Sequence, residues 1–222
     1  TERWSRAIRY EHLLEGANHE LIEQIPMRTQ TIDEALREAG LAIGGFAAIA
    51  GRGGLLKPVA GGTYRVNERM LEDLRLAKRG QHASNLGAFL ADAFARRQDP
   101  PTGAFIVDPV SVDEWDPVAR LSGLAGLDRV CLSHALNSRA VARRAATQMG
   151  RSIREARLVV AHLGSGTSVS AHLEGRMVEV NNSMEEGPFS MDRAGGLPCM
   201  QLVRMMRADP GAAHERSLFG NG

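Results

Sequence analysis

His162-Leu163-Gly164-Ser165-Gly166-Thr167-Ser168 joins an apolar run to a second extended segment through a glycine-rich turn. Upstream, Ala156-Arg157-Leu158-Val159-Val160-Ala161 reads as a short buried strand. Downstream, residues 167–173 and 176–181 alternate around Glu174-Gly175, which predicts a two-residue hairpin. Two glycines beside two hydroxyl residues let the backbone approach an anion with N–H and O–H donors both at hand. A tight turn between two strands accounts for the same residues, so the surrounding chain has to decide between a phosphate site and plain punctuation.

The rest of the chain gives an α/β pattern. Residues 11–25 carry apolar side chains at helical intervals, and Thr31-Ile32-Asp33-Glu34 has the form of a capping box before a short helix ended by Gly40. Residues 46–50 read as a buried strand, and the glycine-studded stretch 51–62 as a loop. A helix is predicted from Asn67, its N-cap, to about Lys78, and others over 83–96 and 135–149, with a buried strand at 104–107. Strands alternating with helices favour a mostly parallel sheet covered on both faces. No short internal repeat and no low-complexity tract interrupts the pattern.

Composition excludes several classes. The 222 residues hold 27 Lys+Arg against 26 Asp+Glu, a net charge of +1, with no basic tract and no RNA- or DNA-binding aromatic motif, so nucleic acid is not an expected partner. No apolar run reaches membrane-spanning length and no signal-peptide pattern opens the chain. Cys131 and Cys199 lie in unrelated contexts and suggest a reduced, cytoplasmic protein. There is no Gly-x-x-x-x-Gly-Lys-Ser/Thr for a P-loop, no third glycine or following helix for a dinucleotide fingerprint at 164–166, and no hydrolase elbow around Ser165. Arg139, Arg143 and Arg144 form a basic stripe on one helix, read as a solvated face, and Glu185-Glu186 an acidic pair read as a solvated turn.

The segment that follows the hairpin, Val180-Asn181-Asn182-Ser183-Met184-Glu185-Glu186-Gly187-Pro188-Phe189-Ser190-Met191-Asp192-Arg193-Ala194-Gly195-Gly196-Leu197-Pro198, decides the matter. Together with Gly51-Arg52-Gly53-Gly54-Leu55-Leu56-Lys57-Pro58, Gly80-Gln81-His82-Ala83-Ser84-Asn85-Leu86-Gly87, Phe105-Ile106-Val107-Asp108-Pro109-Val110 and Ser133-His134-Ala135-Leu136-Asn137, in that order, it resembles the butyrate kinases and branched-chain fatty-acid kinases of the acetokinase family, relatives of acetate kinase.

The resemblance implies the two-lobed α/β fold shared by acetate and sugar kinases, heat-shock ATPases and actin, with residues 1–109 in the amino-terminal lobe and 110–222 opening the nucleotide-binding lobe. The family's Asn-Pro-Gly-Ser-Thr type phosphate hairpin is not in the chain, and 217–222 resembles a stretch ahead of the family's adenosine-binding segment, so the fold is expected to be incomplete at both termini. An exposed sheet edge, an open apolar face, weak ATP binding and aggregation of the isolated chain are the corresponding expectations. The activity implied is reversible, ATP-dependent phosphorylation of butyrate or a related short- or branched-chain fatty acid, with Mg2+, in a cytoplasmic homo-oligomer. A non-catalytic nucleotide-binding relative and an inactive fragment are the alternatives; the first would dispense with Arg193 and His134.

A carboxylate acceptor with a pKa of about 4 to 5 is already ionised at neutral pH and needs no general base. Catalysis is then a charge problem: cationic and hydrogen-bond donors must offset the phosphoryl oxygens in a loose in-line transition state. By resemblance, Arg193 faces the transferring phosphoryl, His134 and His82 donate to phosphoryl or acyl oxygens, Arg52 binds the substrate carboxylate, and Asp108 lies near the phosphate and magnesium. His162, Gly164, Ser165, Gly166 and Thr167 would hold the nucleotide phosphates. Ser165 replaces the glycine or asparagine usual in the family, and the Met184–Gly187 loop is about one residue shorter. Which acid is used, and the oligomeric state, do not follow from the sequence.

Overall fold

The computed structural model describes residues 4–8, 10 and 21–210. Most of the helix expected over 11–25 and all of 217–222 lie outside the described residues. Two compact units are built, one from 1–56 with 62–107 and the other from 57–61 with 108–222.

In the first unit, strands β1 (Ala48–Arg52) and β3 (Gly103–Val107) run parallel, and β2 (Thr63–Arg65) pairs antiparallel on the other side of β3, giving the order β1-β3-β2. Helix α1 (Ile25–Glu38) follows a 3-10 turn over Leu21–Gln24 and starts with proline in its first turn, where the missing N–H costs nothing. The expected capping box at Thr31 is therefore corrected: Thr31 sits inside α1, and its hydroxyl donates back to the Met27 carbonyl at 2.9 Å. Gly40, at φ +68°, does end the helix. Asn67 caps α2 (Glu68–Arg75), its Oδ1 accepting from Met70 N at 2.9 Å.

Helix α3 (Leu86–Arg96) continues a 3-10 turn over Ala83–Asn85 and presents Ala88, Ala91 and Ala95 to the sheet with Phe89. Small side chains let the helix approach closely. A Cβ on Gly87 would lie 2.1 Å from the Arg52 carbonyl oxygen, and one on Gly51 would lie 2.1 Å from that of Gly87. The start of α3 is thereby pinned to the end of β1. Val66, Leu71, Leu74, Ala104 and Ile106 complete this core.

The second unit holds α4 (Ala135–Gln148), the antiparallel meander β4 (Leu158–Leu163), β5 (Thr167–Leu173) and β6 (Arg176–Val180), and α5 (Cys199–Ala208). Glu174 and Gly175 both have positive φ, 54° and 79°, as a two-residue hairpin turn of this twist requires. Its core gathers Val112, Trp115, Ala119, Cys131, Ala135, Met177 and Val180. The mostly parallel sheet expected from the sequence is corrected on both counts: the first sheet has one parallel and one antiparallel pairing, and the second is antiparallel throughout. Nor are β1 and β4 buried on both faces; each pairs along one edge, and no residue of β1 and only Val160 of β4 is buried.

Candidate active site

The Gly164-Ser165-Gly166 turn joins β4 to β5. Leu163 pairs with Thr167, and Gly164 N donates to the Gly166 carbonyl at 3.3 Å. His162, next to last in β4, stacks on His134, which precedes the first turn of α4, with ring centroids 3.9 Å apart and planes 8° from parallel. Each ring has its own anchor. Ser168 Oγ is 3.0 Å from His134 Nδ1, and the Asn137 amide nitrogen is 2.8 Å from His162 Nδ1. With that amide donating, His162 Nδ1 accepts and its proton sits on Nε2.

Arg193 reaches the same place from the loop after β6. A Cβ on Gly166 would lie 2.1 Å from Arg193 Nη1 and 3.1 Å from His134 Cε1, so the turn, the arginine and the imidazole share one small volume. Arg193 Nη1 donates to the Ser183 carbonyl at 3.3 Å, while Nε is buried and has no partner among the described residues. The Ser165 carbonyl fastens the two loops together, accepting from Asp192 N at 3.2 Å and Ser190 Oγ at 2.6 Å. Ser165 thus contributes through its backbone, which any residue supplies.

A second layer, which the sequence did not reveal, holds the arginine loop. Asn181 accepts from Val169 N at 2.6 Å and donates to the carbonyls of Thr167 and Glu186. Glu186 is no solvated turn residue: it pairs with Arg129 at 2.7 Å and accepts from Asn182 N at 3.0 Å. Burial alone would raise its carboxyl, but the Arg129 hydrogen bonds, the Asn182 N–H and the Arg129 charge outweigh that and hold it below the usual carboxylate range. Arg129 in turn stacks over Trp115.

Asp108 follows β3 in a left-handed conformation, φ +39°, and is 1% exposed. Its Oδ1 accepts from Arg139 Nε at 2.9 Å and its Oδ2 from Arg143 Nη1 at 3.0 Å. Arg139 also pairs with Glu114, whose oxygens accept from Gly61 N and Met177 N. Helix α4 therefore does not carry a purely solvated basic stripe; Arg139 is a buried counter-ion. As a direct metal ligand Asp108 fits poorly, since both oxygens already face guanidinium donors. Among the described residues no group of three or more His, Cys, Asp or Glu side chains could hold a metal ion.

The remaining two expected residues belong to the first unit. Arg52 ends β1 with its guanidinium exposed and without a hydrogen-bond or ion-pair partner among the described residues. His82 caps the 3-10 turn before α3, its Nδ1 accepting from Ser84 N at 3.2 Å and facing Ser84 Oγ at 2.7 Å. Both line a groove of about 520 Å³.

No family model matches the chain. Over 186 residues it is 49% identical to butyrate kinase 1 of Clostridium acetobutylicum, a match that covers 83% of this chain and 52% of that protein. Among solved structures, the acetate kinase of Porphyromonas gingivalis superposes with a TM-score of 0.70 at 18% identity, over 91% of this chain and 53% of that one. The acetate kinase of Entamoeba histolytica gives 0.62 at 14% identity and a propionate kinase of Francisella tularensis 0.59 at 16%, each over 83% of this chain and 49% of the other. At such identities these superpositions establish the fold. The chain spans about half the length of the relatives it matches. With the sequence match to butyrate kinase and the shared fold, the chain belongs to the acetokinase family, as a relative of the butyrate kinases.

Proposed function

We propose that the chain serves an ATP-dependent kinase that converts butyrate or a related short- or branched-chain fatty acid reversibly to its acyl phosphate. The observation that carries this reading is the buried, unpartnered Nε of Arg193 against Gly166 and His134. A buried donor without an acceptor costs about 1–3 kcal/mol, which an anionic oxygen placed there would recover. An acid acceptor is ionised at neutral pH, so Arg193 and the two imidazoles have charge to stabilise and no proton to remove.

In this reading His162, Gly164, Ser165, Gly166 and Thr167 hold nucleotide phosphates, Arg193 and His134 meet the transferring phosphoryl, and Arg52 and His82 serve the acid. The two lobes correspond to the two compact units, with the boundary at Val107/Asp108 rather than after Pro109 and with 57–61 in the second. Magnesium, bound chiefly through phosphate oxygens and water, would neutralise part of the phosphate charge. Asp108 acts beside it as the buried counter-ion that orients Arg139 and Arg143. The enzyme works in the cytoplasm as a homo-oligomer; no helix among the described residues is long and apolar enough to cross a membrane.

Hydroxamate trapping of acyl phosphate from ATP, magnesium and a panel of acids tests the reading. Butyrate and its branched neighbours should give product. Turnover of glycerol or a sugar alone would sink the assignment, and nucleotide binding with no turnover of any acid would move the chain to a non-catalytic role.

A further inference from the structure

Arg193 and His134 reach their shared volume from two stretches of chain far apart in sequence, yet both must face one anion at a fixed separation to act on it together. His134 ends the stretch 129–134, just before α4, and Arg193 follows the stretch 182–187. Ser183 links the two. Its N–H donates to the Leu132 carbonyl at 3.0 Å, and its own carbonyl accepts from Arg193 Nη1 at 3.3 Å. The place of Ser183 therefore sets where the guanidinium stands relative to the imidazole.

Ser183 lies in a tight turn closed by Glu186. The N–H groups of Glu185 and Glu186 donate to the Asn182 carbonyl at 3.2 and 2.8 Å, and the Glu186 carboxylate accepts from Asn182 N at 3.0 Å. Arg129 grips that carboxylate from the other stretch. Its Nε is 3.1 and 3.2 Å from the two Glu186 oxygens, and its Nη2 is 2.7 Å from Oε2. Nη1 donates to the Ala119 carbonyl at 2.8 Å, and the guanidinium lies 4.8 Å from the centroid of the buried Trp115 ring. With every nitrogen committed and one face stacked, the fork has a single orientation, and so does the turn it holds. Glu179 of β6 pairs with the same guanidinium at 2.9 Å but belongs to neither stretch.

We infer that Arg129 is a positioning residue: through Glu186 it fixes the 182–187 turn on the 129–134 stretch and so keeps Arg193 and His134 in register for one anionic ligand. Its nitrogens already face protein acceptors, so it acts through Arg193 and not on substrate. The inference deepens the proposed kinase site and rests on that reading only for its effect on turnover.

Two readouts test it. In the 222-residue chain, heteronuclear NMR follows the Arg193 Nε–H and the His134 Cε1–H groups. Both signals should shift or broaden in Glu186→Gln, which keeps the shape but not the charge, and in Arg129→Lys, which keeps the charge but not the fork; the His172 ring signal should stay in place. In the active enzyme the same two variants should lower kcat about tenfold, with KM for ATP and acid changed by less than about twofold. They should add no further loss in an Arg193→Ala background. Glu179→Gln should change kcat by less than about twofold. Circular dichroism checks each fold. Unmoved Arg193 and His134 signals in both folded variants, an equal loss from Glu179→Gln, or a full additional loss on top of Arg193→Ala would overturn the positioning role. So would the unfolding of both variants, which would make Arg129 a scaffold residue. Shifted signals in an enzyme that turns over no acid would keep the positioning role and remove the kinase reading; unmoved signals with normal acid turnover would do the reverse.

Discussion

His172 gives the second unit a stability that should decline in mild acid. The side chain lies in β5, 4% exposed, with Nε2 2.9 Å from Ser170 Oγ. That hydroxyl donates to the Val160 carbonyl, so its lone pair accepts the imidazole Nε2–H. Burial first, then the Arg139 and Arg143 cations against the opposing pull of Glu114, push the imidazole down to about 4 from its ordinary 6.5. Between those values the unfolded chain takes up a proton that the folded chain refuses. Stability is therefore complete above about pH 6.5 and is lost progressively as pH falls toward 4, a decline of about 2 kcal/mol between pH 7 and pH 5. Urea unfolding of wild type and His172→Gln at pH 7, 6 and 5 measures it. The glutamine retains a donor for Ser170 but cannot titrate, so the gap between the two proteins should shrink by about 2 kcal/mol across that range. Parallel declines would show that His172 accepts its proton without cost in the folded chain. The window must stay above pH 4.5, because Glu114 and Glu186 are held below the carboxylate range and start to lose their own contribution there. Glu114 is kept low against its burial by the Met177 and Gly61 N–H groups and by Arg139.

Arg193→Ala in the active enzyme should lower kcat on the order of a hundredfold or more with little change in nucleotide affinity, and Arg193→Lys should rescue poorly because an ammonium lacks the planar fork; steady-state kinetics and nucleotide titration check both. Gly166→Ala should push aside the Arg193 guanidinium, the flexible end of a long side chain, rather than backbone, so Tm should move by no more than about 3 °C while kcat falls at least tenfold. A large loss of Tm with normal turnover would separate Gly166 from the arginine.

Local chemistry was legible in the sequence wherever a few adjacent residues set the conformation. Asn67 as a cap, Gly40 as a stop and Glu174-Gly175 as a hairpin turn each depend on neighbours within a few positions. Thr31 failed because the same hydroxyl that caps a helix can also bond back to the carbonyl four residues earlier once the helix has already begun, and Pro26 had begun it. The ionic anchors failed for another reason. Arg139 finds Glu114 across 25 residues and Asp108 across 31, and Arg129 finds Glu186 across 57, so each side chain looked like surface until the fold supplied a partner. The candidate site was legible through its glycines, whose spacing marks where backbone must come close. Asn181 and Ser190, which hold that backbone in place, carry no such mark.

The pairing of the arginines explains which of them can meet a ligand. In the second unit, Asp108 and Glu114 share Arg139, Asp108 also takes Arg143, and Arg129 is divided between Glu179 and Glu186. Those guanidiniums are anchored by carboxylates, and moving any of them would leave a buried or half-buried charge alone, at a cost of about 3–5 kcal/mol for the fully buried ones. Arg193 differs: among the described residues its one hydrogen bond is to a neutral carbonyl, and its buried Nε has no acceptor. A fixed cation whose local charge is not cancelled, held against a glycine turn and a stacked imidazole pair, attracts whatever anion can enter that volume. Among the described residues no carboxylate forms an ion pair with Arg193, so its charge is left available to an entering anion, which a structural salt bridge would prevent.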